Sequence, residues 1–111
     1  MLGNEGNAMT VAELPIKINR GKIAEFCRAH GIRKLSLFGS VLRDDFDQKR
    51  SDVDVLVEFL QNQTPGWEFF RFADELAPII GRSVDLNTPS MLSQYFRDEV
   101  LREAVTIYEQ T

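Results

Sequence analysis

The sequence predicts a small α/β or α+β domain, with a mixed sheet covered by helices on at least one face. Three observations carry this expectation. Apolar residues recur at every second position at Val53, Val55, Val57 and Phe59, the mark of a strand with one buried side. Stretches with apolar residues at helical spacing lie on both sides of it. Gly31, Gly39, Pro65, Gly66, Gly81 and Pro89 separate these stretches, so the elements read in the order α-β-α-β-α-β-α.

Taken along the chain, Asn19 is placed to cap a first helix over residues 20–30, and Gly31 to end it. Ile23, Phe26 and Cys27 share one face of that helix. Residues 32–38 read as a strand with Leu35 and Leu37 on one side, broken by Gly39-Ser40. Ser40 is expected to cap a short helix reaching about Asp45, followed by a charged turn over 46–50. Residues 53–60 form the best-marked strand, and 61–66 a loop. A helix over 67–80 closes at Gly81, a short strand covers 83–87, and Pro89 opens a helical turn to about Leu92. Leu101, Ala104, Val105 and Tyr108 recur at helical spacing, which predicts a last helix over 98–109.

Size and composition fit one globular domain: 111 residues, 43% hydrophobic and 27% charged. Residues 1–15 read as a flexible N-terminal extension and 16–111 as the domain. No apolar run approaches the ~20 residues of a membrane span, and the N-terminus lacks the features of a signal peptide, so no membrane partner is expected. A single cysteine, Cys27, excludes an intrachain disulfide and fits a reduced, cytoplasmic setting, with the thiol acting as a small buried hydrophobe. A net charge of −4 argues against a broad nucleic-acid surface and against nucleic acid as a direct partner.

Two motifs suggest chemistry. Gly39-Ser40 follows an apolar strand, where a residue without Cβ lets the backbone approach a ligand and the next helix start offers N–H groups to phosphate. Asp52 and Asp54 share one side of the next strand, about 6–7 Å apart at Cα. Two like charges so placed are unfavourable unless a cation such as Mg²⁺ sits between them. A lone Asp-x-Asp reads as a solvated strand face; with Gly-Ser upstream the pair points to nucleotidyl transfer. Asp85, between Val84 and Leu86, is the candidate third acid, able to stand beside the other two if its strand pairs with 53–59. In that arrangement Asp52 and Asp54 hold one Mg²⁺. Asp54 and Asp85 share a second, and Asp85 helps to deprotonate the incoming hydroxyl.

These residues resemble the DNA polymerase beta nucleotidyltransferase superfamily, whose signature is Gly-Ser, a spacer, then Asp-x-Asp. Within it the chain looks like the minimal nucleotidyltransferase (MNT) family, commonly antitoxins paired with a HEPN-domain toxin. The segments that match are Phe38-Gly39-Ser40-Val41-Leu42-Arg43, the strand from Ser51 to Phe59, Gly81 to Pro89 around Asp85, and Leu101-Arg102-Glu103-Ala104-Val105, which resembles the family's C-terminal helix. Eleven residues separate Ser40 from Asp52, one more than is usual for the family, and Asp44 stands where it often has glycine. The resemblance implies a minimal polymerase-beta-type fold. It implies that Gly39 and Ser40 bind the triphosphate of ATP and that Asp52, Asp54 and Asp85 bind metal. Arg43 is similar to an arginine near the family's Gly-Ser turn and reads equally as a phosphate contact or a solvated residue. The implied activity is Mg²⁺-dependent transfer of AMP to a tyrosine of the toxin. The alternatives are a non-catalytic antitoxin acting by contact and, less favoured without a second domain, a small-molecule nucleotidyltransferase.

The remaining residues divide between surface and core. Trp67, Phe69, Phe70 and Phe72 cannot all face one core stripe, and read either as a partner surface or as a helix buried on two sides. His30 reads as a surface residue suited to a helix end. Arg20, Lys22, Arg28, Arg33 and Lys34 read as a solvated face, with an ATP- or RNA-facing role as the alternative.

Overall fold

Local signals set most element ends. In the computed structural model, which describes residues 11–43, 46 and 52–110, helix α1 spans Arg20–Ala29 and the Asn19 side chain accepts from the Lys22 N–H at 3.1 Å. Helix α2 spans Phe69–Ile80 and is closed by Gly81 in the left-handed region. Trp67 and Glu68, expected inside it, form the turn before it. Strand β1 spans Ile32–Phe38, β2 Val53–Phe59 and β3 Val84–Asn87. Short 3-10 turns cover Val11–Glu13, Gly39–Leu42 and Pro89–Met91.

The C-terminal segment departs from the expectation of a single helix over 98–109. Helix α3 covers only Arg97–Glu103; Ala104 turns the chain to extended backbone, and strand β4 spans Val105–Glu109. The spacing of Leu101, Ala104, Val105 and Tyr108 fits a helix locally. Three stronger demands decide otherwise. Val-Thr-Ile-Tyr is rich in β-branched and aromatic residues. The outer edge of β1 has unpaired N–H and C=O groups that β4 satisfies. Alternation buries Val105 and Ile107, whereas Leu101, which a core-facing helix would hide, is 43% exposed.

One sheet results, in the order β3-β2-β1-β4. β1 is antiparallel to β2 and β4, and β3 is parallel to β2, so the sheet is mixed as expected. α1 packs on β1 and β4, α2 on β3, and the two helices touch each other. Ile23, Phe26 and Cys27 of α1 and Phe72, Leu76 and Ile80 of α2 meet Leu35, Leu37, Val53, Val55, Val57, Val105 and Ile107 in one core. Burial pushes the Cys27 thiol up to about 12, with Arg28 opposing, in keeping with an inert hydrophobe. Ser36 and Leu56, paired across β1 and β2, are also buried; alternation puts them on the other face, where the Pro89–Met91 turn packs on β2.

Two further residues and the first described segment take places the sequence did not assign. His30 is no simple surface residue: its Nε2 lies 3.0 Å from Glu75 Oε1 and its ring rests against Phe26 and Phe72, joining α1 to α2. Arg33 of the basic group spans the sheet, reaching Glu58 at 2.7 Å and Glu109 at 3.5 Å. Residues 1–10 lie outside the described residues, but the Val11–Glu13 turn packs on β4 and Leu14 is buried. Residues 11–14 thus pack against the rest of the described chain.

The strand at the C-terminus can be tested by equilibrium urea unfolding. Ile107→Ala is expected to cost about 2–4 kcal/mol by opening a core cavity, while Leu101→Ala stays within about 0.5 kcal/mol. A larger loss for Leu101→Ala would restore the single helix.

Candidate active site

The site grows from the pairing of three strands. Phe38, the last residue of β1, stands opposite Asp54 of β2, and Asp54 stands beside Asp85 of β3. Residues paired in this way project to the same face, so Asp85, Asp54 and Phe38 form a row across one end of the sheet. Asp52, one residue before β2, is exposed at the same end. Leu86 anchors β3 in the core and Asp85 is turned out to solvent, as its position between two apolar residues implied.

Gly39 follows Phe38 with φ +77°, a region costly for a side-chain-bearing residue. A Cβ here would also collide with Oδ2 of Asp54. The missing side chain therefore does two things: it allows the chain to turn, and it leaves room for the carboxylate. The next residue completes the contact, because the Ser40 backbone N–H donates to the Asp54 carboxylate. The expected helix from Ser40 to about Asp45 is instead a single 3-10 turn over Gly39–Leu42, with Phe38 at its cap position. Val41 points into the core and pins the turn. Asp44 and Asp45 lie outside the described residues.

Asp54 is held at an electrostatic disadvantage. Its pKa rises from 3.8 to about 6, first because burial penalises the charge, then because of Asp85, whose charge and side-chain hydrogen bond both favour a protonated partner, with a smaller push from Asp52. The Ser40 N–H pulls the other way. Asp54 and Asp85 thus form a hydrogen-bonded carboxyl pair, while Asp52 acts on Asp54 through charge. Among the described residues no three acidic, histidine or cysteine side chains converge as a ready-made metal cage. The donor chemistry, three carboxylates at one sheet end with one already resisting ionisation, nevertheless suits a hard divalent cation such as Mg²⁺ in place of the shared proton.

A cleft of about 590 Å³ opens beside this row. Phe38, Gly39, Leu42 and Arg43 line one wall, and Phe96, Glu99, Val100 and Glu103 of α3 and the residue before it line the other. Gly39 is common to the cleft and the acid row, and Arg43 faces the cleft as its only cation among those residues. Sequence reasoning did not find the α3 wall, since its spacing is that of any amphipathic helix.

Over residues 21–111 the sequence matches the family described as polymerase beta, nucleotidyltransferase. The chain belongs to that family. A Methanocaldococcus jannaschii protein, MJ0435, named as a candidate protein adenylyltransferase, is 33% identical over 86 residues, covering 78% of this chain and 90% of the relative. A solved candidate minimal nucleotidyltransferase is 32% identical with a TM-score of 0.62, covering 78% of this chain and 86% of its own. A chain from the complex of a tri-AMPylated Shewanella oneidensis HEPN toxin with an MNT antitoxin is 21% identical with a TM-score of 0.58, covering 83% of this chain and 71% of its own, and shows the shared fold. The four-stranded mixed sheet is accordingly that of a minimal nucleotidyltransferase, as the sequence predicted.

Two measurements test the geometry of this nucleotidyltransferase. Gly39→Ala is expected to lower stability by about 1–3 kcal/mol through strain at positive φ and displacement of Asp54; a stability equal to wild type in thermal unfolding would show that the close approach is not needed. The raised pKa of Asp54 sets a sign for pH dependence. A carboxyl with a folded pKa above its unfolded one contributes stability below about pH 4 that is lost as pH rises through about 6. Asp54→Asn, which cannot ionise, is therefore expected to raise the Tm of the metal-free protein at pH 8 and to lose that advantage at pH 4. An equal shift at both pH values would remove ionisation as its cause.

Proposed function

We propose that this nucleotidyltransferase transfers AMP from ATP to a tyrosine hydroxyl of a cognate HEPN toxin and acts as its antitoxin. The observation that carries the reading is the register of the sheet: Asp54 stands beside Asp85 on one side, and on the other a glycine turn gives it room and an N–H donor. The name of the M. jannaschii relative and the AMPylated toxin in the Shewanella complex support the reaction type and the partner.

In this reading Gly39, Ser40 and Arg43 hold the phosphates, and Asp52, Asp54 and Asp85 would hold two Mg²⁺ ions. The ions, when bound, neutralise charge on the phosphate oxygens and ease ionisation of the acceptor. The phenol oxygen attacks the α-phosphorus. Its new O–P bond forms as the α–β bridging bond breaks, pyrophosphate leaves, and Asp85 takes the phenol proton. In this reading the register that puts Asp85, Asp54 and Phe38 in one row supports a catalysis that is mostly positioning.

A second reading, neutralisation by contact without chemistry, draws on Trp67 and Phe70. Their rings pair at 6.4 Å and are 86% and 75% exposed, while Phe72 is buried and Phe69 lies against Phe59, so the aromatic cluster splits into a core half and a surface half. Intact-mass measurement of the co-expressed toxin after incubation with ATP and Mg²⁺ separates the two readings. A gain of one or more AMP masses that disappears with Asp52→Ala/Asp54→Ala is the expected result. A silenced toxin of unchanged mass would leave contact alone.

A further inference from the structure

The connection between α2 and β3 carries a cation to which the transfer step gives no role. Arg82 starts from a fixed backbone. Its N–H donates to the Ala77 C=O at 3.2 Å, at the end of α2, and the C=O of the next residue, Ser83, accepts from the Val53 N–H at 2.9 Å. The guanidinium lies over the ring of Phe46, 5.4 Å from the ring centre. Phe46 packs against the core and donates its N–H to the Arg43 C=O at 3.4 Å. We propose that Arg82 is a positioning residue: by stacking on Phe46 it braces the Gly39–Leu42 turn against the strands that carry the acids; the assignment rests on the reading that this turn holds the phosphates of the nucleotide.

The contacts close a circuit. The Ser40 N–H donates to the Asp54 carboxylate on β2, and Asp54 stands beside Asp85 on β3. β3 begins at Val84, just after Arg82 and Ser83. Arg82 reaches Phe46, Phe46 is bonded to Arg43, and the Arg43 N–H donates to the Ser40 C=O at 2.9 Å. The turn is therefore held from two sides, at its start by β1 and Asp54 and beyond its end by Phe46 and Arg82. Both holds matter for binding. A 3-10 turn over Gly39–Leu42 makes few hydrogen bonds of its own, and N–H groups grip a phosphate only when they are aimed at one point. The residue types suit a brace. A guanidinium is planar and weakly hydrated, so it stacks on an aromatic face at little cost in lost hydration. Gln in its place would bring neither the charge nor the planar fork.

Loosening the stack from each side tests the assignment. Arg82→Gln and Phe46→Leu are each expected to weaken calorimetric binding of inorganic tripolyphosphate with Mg²⁺ roughly three- to tenfold. Each is also expected to speed hydrogen exchange at the amides of residues 43 and 46. The double variant is expected to lose no more than either single one, since both remove the same contact. Arg82→Lys, which keeps a cation for the ring, is expected to recover part of the binding. Arg33→Gln breaks ion pairs at the opposite end of β1 and is expected to leave tripolyphosphate affinity unchanged. Weaker binding in Arg82→Gln with wild-type affinity in Phe46→Leu would overturn the assignment in favour of a direct phosphate contact. Wild-type exchange at residues 43 and 46 in Arg82→Gln would overturn it too. An equal loss of binding in Arg33→Gln would reduce the effect to stability and overturn it as well. A toxin of unchanged mass, alongside the expected binding and exchange effects, would count against the transfer reading and leave the brace standing.

Discussion

The contact between the Gly39-Ser40 turn and the Asp54 carboxylate is the constraint on which the site depends. Asp54 lies partly out of water, next to two other acids, in a place that raises the cost of its charge. It stays there because β2 is buried on its other side through Val53, Val55 and Val57, which leaves the intervening residue no other direction to point. The turn meets it from β1 with one N–H and no Cβ. Core packing thus supplies the energy that holds an unfavourable carboxylate in position, a cost that stability elsewhere must offset.

Much of this was legible in the sequence because it follows from alternation. Once Val53, Val55 and Val57 face inward, Asp52 and Asp54 must face outward, and the same logic places Asp85 between Val84 and Leu86. The pairing of β3 with β2 then brings Asp85 beside Asp54 without further information. The first helix was equally clear, since Asn19 and Gly31 mark its ends chemically.

What was not legible depends on distant partners. Residues 101–108 satisfy both a helical and an alternating pattern, and only the open edge of β1 selects the strand. The helix expected after Ser40 shortens to one turn because Val41 is drawn into the core. His30 looks like a helix-end residue until α2 brings Glu75 and Phe72 against it. The α3 wall of the cleft was hidden for the same reason: its meeting with Phe38 and Leu42 is a product of topology.

The division of labour within the sheet has a consequence for how such a protein can change. The acids belong to β2 and β3, and the turn that supports them to β1. The far wall of the cleft hangs from β4, on the opposite edge, through the single residue Ala104. The acids and the far wall of the cleft therefore sit on separate strands, with β1 between them. Exposed positions on α3 can be exchanged, altering the lining of the cleft, while the carboxylates keep their register and the core keeps its packing.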